Sequence, residues 1–423
     1  MTITIAPALP DRARRWRAVA AASLGNALEW FDFVVYGFFA ATIAKLFFPA
    51  QDEAVSLLLA FATFGVTFFV RPFGAIVLGV FADRHGRKAA LTLAIVLMMV
   101  GTAIIAGAPT YSVIGPLAPV LIVIARLIQG FSAGGEFGSA TAFLAEQNSE
   151  RRGFFASWQF ASQGLTTMLA TAFGAALASA LTPEQMDAWG WRVPFAFGLL
   201  IGPIAYYIRR HVDETPEFRS LSEKGTPLRE TLLEGKKRLL ISLGTVVLCT
   251  VAMYTILFMP TYATRQLGLP AAGSFMAILL TGAIQVVLIP LFGSLSDRQG
   301  RLPILFGAAI AILLLIYPMF AWLAASPTLQ TLLIVQAIIG VLTAGYLGPL
   351  PALMSEIFPA RMRTTGLSIS YSFGVAIFGG FAPFINAWLI ESLGSKLAPS
   401  WYVIFAAAIS LTALVGAQRL GAK

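Results

Sequence analysis

The decapeptide GVFADRHGRK, residues 79–88, returns as GSLSDRQGR at residues 293–301, 214 positions later. A second pair, Glu146 with Arg151, returns as Glu356 with Arg361 at an offset of 210. Two near-equal offsets argue that the chain was built by duplicating a unit of that length. Each copy of the decapeptide follows an apolar run, and a bilayer-crossing helix needs roughly 20 such residues. The repeated unit is therefore expected to cross a membrane several times.

Composition supports that expectation. Of 423 residues, 58% are hydrophobic and 12% charged, and the mean hydropathy is +0.80, so polar groups are too few to coat a water-soluble globule. Breaks at Pro, Gly and charged residues divide the chain into twelve predicted spans: 19–48, 54–82, 89–109, 116–146, 153–181, 192–210, 239–264, 272–296, 303–324, 329–356, 364–391 and 401–420. The first is too long for a signal-peptide core and lacks a small-residue cleavage site, so it reads as retained. An all-α integral membrane fold follows, with two pseudo-symmetric six-helix bundles.

Basic residues orient the chain. With the N-terminus placed in the cytoplasm, 23 of the 29 Lys and Arg fall on that side, which matches the positive-inside bias. The net charge of +9 thus reports topology, and its scatter over seven short segments argues against a nucleic-acid partner. Cys249 is the single cysteine, and His85 and His211 both fall in loops, so neither a disulfide, a metal centre nor a histidine proton relay is expected within the membrane.

The domain boundaries follow: a cytoplasmic segment 1–18, a first bundle 19–210, a cytoplasmic linker 211–238, a second bundle 239–420 and a tail 421–423. Parallel repeats of this kind suit a secondary transporter that binds its cargo near the midplane. A channel is the rival, but neither a filter loop nor a ring of like charges is visible. In the repeated loop, Gly79 and Gly293 allow two helices to approach closely. Asp83 and Asp297 can face a neighbouring helix N-terminus, where a carboxylate is stabilised. Arg84, Arg87 and Arg301 can pair with Glu146 or Glu356, which makes a breakable cytoplasmic gate.

Charges inside the spans are costly, about 2.5–3.5 kcal/mol each on insertion scales, and point to function. The sequence has Glu29 and Asp32 in span 1, Arg71 in span 2, and Arg126 and Glu136 in span 4, all in the first half. Arg71 lies twelve residues before Asp83, roughly 18 Å at the helical rise, which is near the bilayer centre. Shifted by the repeat offsets, Arg71 falls on Gln285 and Arg126 on Gln336. One wall of the cavity is thus expected to be cationic and the other merely polar, as suits an anion. Asn26, Glu29, Asp32, Phe33 and Tyr36 are expected on one stripe of span 1, and Gln159 and Gln163 on one face of span 5. Tyr254, Tyr262, Gln285, Tyr346, Ser368, Tyr371 and Ser372 are the hydrogen-bonding groups of the second half, each equally explicable as contact between helices.

The G-x-x-x-D-R-x-G-R-K loop resembles the signature of the major facilitator superfamily. Within it the chain is similar to the metabolite:proton symporter family. The shared text is Asn26, Glu29, Asp32, Phe33, Tyr36 and Gly37 in span 1, Arg71-Pro72 with Gly74 in span 2, and Arg126-Leu127 with Gln129 through Gly134 and Glu136 in span 4. Weaker cues, Ser157 to Gln163, Pro260 to Tyr262 and Ala376 to Gly380, look closest to citrate and tricarballylate symporters. The chain ends shortly after Arg419, without the long extension of the osmosensory proline and betaine members.

The resemblance implies a carrier, not an enzyme: alternating-access uptake of a di- or tricarboxylate such as citrate. Arg71 and Arg126 are expected to hold the anion with Asn26, Gln159, Gln163 and polar groups of the second half. Glu29, Asp32 or Glu136 would handle the co-transported proton, with sodium as the alternative ion and no bound cofactor or metal. Symport of 2-oxoglutarate, shikimate, proline or betaine, a transporter-like receptor and a cationic-drug exporter remain as other readings. The expected setting is a bacterial inner membrane, multi-pass, with both termini cytoplasmic, and a unit with its own cavity is expected to work as a monomer.

Overall fold

The computed structural model describes residues 12–85, 87–134, 136–210 and 231–422, and among them no strand occurs. Twelve helical traverses follow one another. In the first half they are span 1 (Arg12–Phe38, then Ala40–Phe47), span 2 (Glu53–His85), span 3 (Arg87–Gly107), span 4 (Leu117–Ser132, then Glu136–Ala145), span 5 (Arg152–Ala180) and span 6 (Arg192–Arg210). In the second they are span 7 (Lys236–Arg265), span 8 (Ala271–Gln299), span 9 (Arg301–Ala325), span 10 (Leu329–Leu347, then Leu350–Ile357), span 11 (Arg363–Gly374, then Ala382–Leu393) and span 12 (Ala398–Arg419).

Among the described residues eight helices are long and apolar enough to cross a bilayer, and the bent pair of span 1 makes a ninth. The protein is therefore a multi-pass membrane protein. Span 5 is not among the eight. It carries Ser157, Gln159, Ser162, Gln163 and Thr166, and it buries all five against other helices.

Four spans expected as single rods are interrupted. Span 1 turns by 71° at Phe39, after Gly37. Span 4 breaks between Ser132 and Glu136, where Gly134 occurs. Span 10 breaks at Gly348-Pro349, and proline cannot donate the next helical hydrogen bond. Span 11 widens into a π-helical turn at Val375–Gly379, just before Gly380 and Pro383. Such interruptions free backbone carbonyls inside the membrane, and each needs a partner there.

Small residues set the helix contacts. A Cβ on Gly130 would lie 2.0 Å from Thr67 O, and the residues related to these two by the repeat offsets, Gly340 and Thr281, meet again between spans 10 and 8. The duplication seen in the sequence is thus also a duplication of packing. Between the halves, spans 5 and 8 run backbone to backbone: a Cβ on Gly153 would lie 2.4 Å from Gly293 O, and one on Gly282 would lie 3.0 Å from Gly164 O. Gly300, at φ +92, turns span 8 into span 9. That left-handed backbone explains the second glycine of the repeated loop.

Candidate substrate site and gates

Arg71 is buried in span 2. Its Nε and Nη2 donate to Ala133 O at 3.3 and 3.0 Å, the carbonyl released where span 4 breaks. The guanidinium lies 4.9 Å from the Trp30 ring centroid, 5.6 Å from Phe68 and 5.9 Å from Phe33. Aromatic faces attract a cation and so hold the charge in a dry place. Its Nη1 hydrogens have no partner among the described residues.

Arg126, in span 4, is fully buried over Tyr36 at 4.3 Å, Phe33 at 5.1 Å and Phe64 at 5.3 Å. Nη1 donates to Gln129 Oε1 at 2.9 Å, while Nε and Nη2 have no partner among the described residues. The two guanidinia therefore share the Phe33 ring and leave donor groups on three nitrogens unused. From the second half, Tyr254 packs on Phe64 and Phe68 at 5.7 and 5.2 Å, within electrostatic reach of both arginines. Its hydroxyl is buried and has no hydrogen-bond partner among the described residues. Unmet buried donors cost about 1–3 kcal/mol each, more when charged, so a polar occupant that met them would be stabilised here.

Asp32 does not lie on the stripe expected for span 1. One helical position turns a side chain by about 100°, and Asp32 faces spans 3 and 6 while Phe33 and Tyr36 face the arginines. Its Oδ2 accepts from Thr102 Oγ1, and a Cβ on Gly198 would stand 2.3 Å from its Oδ1. Thr102 also accepts from Gln129 Nε2 at 3.0 Å. A hydrogen-bonded chain thus joins Arg126, Gln129, Thr102 and Asp32. Gln129 carried a sequence signal, three residues after Arg126; Thr102, one of two threonines in an apolar helix, carried none.

The other expected ligand groups are dispersed. Asn26 donates to Gln159 O at 3.1 Å and Ser162 Oγ at 2.7 Å and accepts from Gln159 Nε2, so these amides tie span 1 to span 5. Both amide atoms of Gln163 are buried without partners among the described residues. Gln285 donates to Thr343 at 3.0 Å, Gln336 accepts from Thr281 at 3.1 Å, and Tyr346 donates to Thr245 O at 2.8 Å, all within the second half. Tyr262 donates to Lys396 O. Tyr371 stacks on Phe137 across the halves at 3.4 Å, Ser368 lies beside Gly138, and Ser372 is buried. The side chains of Glu29, Glu136, Asp83, Arg84, Arg87 and Arg361, and linker residues 211–230, lie outside the described residues.

At the end carrying the repeated loops, Asp297 Oδ1 accepts from Gly153 N at 2.8 Å and Oδ2 from Phe154 N at 3.0 Å, so the carboxylate of one half caps the span 5 N-terminus of the other. Arg301 pairs with Asp297 at 2.7 Å and with Glu356 at 3.2 Å, and Arg152 reaches Glu356 at 3.9 Å. Glu146 pairs with Arg363 at 3.1 Å, a partner the sequence did not single out. At the opposite end the halves meet through Phe38 and Phe39 on Phe275, Phe61 on Phe258, Leu257 against Gly37, and an exposed Arg265–Glu53 pair at 2.5 Å. The two halves touch at both ends, above and below the arginines.

A family model described as Major Facilitator Superfamily matches residues 22–322 and 276–421. A citrate-proton symporter of Klebsiella pneumoniae is 39% identical over 94% of this chain and 90% of that protein. A glycine betaine/proline/ectoine/pipecolic acid transporter of Dickeya dadantii is 35% identical over 95% of this chain and 83% of that protein. Among solved structures, a D-xylose-proton symporter superposes with a TM-score of 0.75 at 19% identity, covering 93% of this chain and 97% of that one, which speaks to fold alone.

Proposed function

Because the chain belongs to the major facilitator superfamily, we propose that it is a secondary transporter that takes up a di- or tricarboxylate such as citrate together with protons. The observation that carries this reading is the set of unpartnered donors on Arg71 and Arg126, buried in one half and facing Tyr254 of the other. Carboxylate oxygens match guanidinium nitrogens in geometry and charge. The symporter of Klebsiella pneumoniae named for citrate supports the same cargo.

The betaine-carrying relative favours a zwitterion. Recognition of a quaternary ammonium uses open aromatic faces. Here Trp30, Phe33, Phe68, Tyr36 and Phe64 already carry the two guanidinia, and a single carboxylate leaves one of these unpaired. The polyanion is the better match.

Carrying an anion against a negative interior costs about 2.3 kcal/mol per charge per 100 mV, so cations must accompany it. Asp32 is assigned the proton, with Glu29 and Glu136 as the other acids of the same half and sodium as the competing ion. The loop end, with Asp83, Asp297, Arg301 and Glu356, is assigned as the cytoplasmic gate, both termini lying on that side of a bacterial inner membrane. The working unit is assigned as a monomer with a site between its halves.

Uptake of radiolabelled citrate into proteoliposomes tests the reading. An inward proton gradient is expected to drive accumulation, with competition by citrate, tricarballylate and 2-oxoglutarate in preference to shikimate or proline. Arg126→Gln should weaken citrate by about 10–150-fold, the roughly 1.5–3 kcal/mol of a charge-assisted hydrogen bond. Competition by proline alone, with none from any polycarboxylate, overturns the assignment.

A further inference from the structure

Thr102 has one hydroxyl hydrogen and two acceptors for it. Oγ1 is in donor reach of Asp32 Oδ2 and of Met98 O, the latter at 3.0 Å, and it accepts from Gln129 Nε2 at 3.0 Å. Gln129 Oε1 accepts from Arg126 Nη1 at 2.9 Å. Traced from the cation to the anion, every donor points the same way: Arg126 to Gln129, Gln129 to Thr102, Thr102 to Asp32. We propose that Thr102 and Gln129 are positioning residues that carry the protonation state of Asp32 to the Arg126 guanidinium, a role that rests on the proton-coupled anion transport assigned above.

The step balances with one proton and no other reactant. With Asp32 ionised, Thr102 donates to it, and the aligned chain polarises each link and pins Arg126 Nη1 on Gln129. When a proton binds Oδ2, the new O–H donates to Thr102 Oγ1, and the threonine hydrogen swings to Met98 O. The hydroxyl oxygen then accepts from Asp32 and from Gln129, which uses both its lone pairs. The anion that terminated the chain is gone, so Nη1 is released to join Nε and Nη2 on the incoming carboxylate. Loading a proton thereby raises affinity for the anion, which is what symport requires.

The surroundings of Asp32 leave few competing influences. Among the described residues, Arg126 of span 4 is the charged group whose field reaches it, and Arg71 of span 2 lies on the Trp30 and Phe33 faces. Tyr36, on its own span, lies under Arg126. Span 3 contributes Thr102 and span 6 contributes Gly198, neither of them ionisable, while span 5 meets span 1 through Gln159 and Ser162. Glu29 and Glu136, outside the described side chains, are replaced by Gln in every preparation of a parallel series, so that their titration is removed from the comparison.

The test is equilibrium binding of citrate to purified full-length protein, compared at about pH 6 and pH 8 in wild type, Thr102→Ser, Thr102→Val and Gln129→Met. The ligand's own titration is common to all four and cancels when each variant is divided by wild type. A wild-type gain of about tenfold at the lower pH, within the usual range for coupled sites, should persist in Thr102→Ser and collapse towards the ligand's own change in Thr102→Val and Gln129→Met. An unchanged pH ratio in Thr102→Val overturns the relay. Infrared titration without ligand follows the carbonyl band absent from Asp32→Asn. Gln129 does not touch Asp32, so a moved midpoint in Gln129→Met supports transmission through Thr102 and an unmoved one overturns it. This arm decides the relay even where wild type binds no polycarboxylate, an outcome that instead removes the substrate assignment, and Gln129→Met serves if Thr102→Val does not fold.

Discussion

Arg71 and Arg126 could be picked out of the sequence because a guanidinium in an apolar run has no bland explanation. Their surroundings could not. A phenylalanine reads as membrane filler until its ring is found under a charge, as Phe33 is for both arginines. Asp32 stood out in the sequence as an acid within an apolar run, but its direction did not, because one position on a helix decides which neighbour it meets. It faces Thr102 rather than the guanidinia, as the proton role proposed for it requires. Asp32→Asn is therefore expected to abolish accumulation against a gradient while substrate exchange across the membrane continues, measured as counterflow in proteoliposomes. Loss of both activities together would make Asp32 part of the anion site itself.

Among the elements, the lengths and order of the spans followed from apolar runs, whereas their interruptions did not. The break in span 4 illustrates the reason: glycine in 116–146 also serves close helix contact, as Gly130 does against Thr67, so it marks no break by itself, and only the third dimension reveals that Arg71 takes up the Ala133 carbonyl there. Spans 5 and 8 depend on glycine for a different purpose. A methyl group on Gly153 would stand 2.4 Å from Gly293 O and would have to move backbone. It would also disturb the N–H groups that Asp297 caps, worth about 1 kcal/mol as a helix N-cap. Gly153→Ala should leave a folded protein whose halves separate at the loop end, read as faster alkylation of a cysteine placed at Ser157, with transport reduced. Unaltered alkylation would show that span 8 yields without cost.

For the whole molecule, the repeat made two bundles legible from the decapeptide alone, and the matching contacts of Gly130 with Thr67 and Gly340 with Thr281 carry that symmetry into packing. The way the bundles close on each other was less legible, because it depends on residues such as Arg363 and Phe275 that have no motif. Arg363→Ala removes one ion pair of Glu146. Partly buried pairs of this kind contribute on the order of 1 kcal/mol, so the change should shift the population about fivefold towards opening at the loop end, measured by spin-label distances between spans 4 and 11. The two closures are made of different forces. At the loop end they are ion pairs and a capped helix, and at the far end mainly Phe38, Phe39, Phe61 and Leu257 against the second half. Salt shortens the reach of charges, and cooling weakens apolar association. Ionic strength and temperature are thus expected to act on opposite ends of the molecule, which would make the resting posture of the carrier depend on the medium as well as on its cargo.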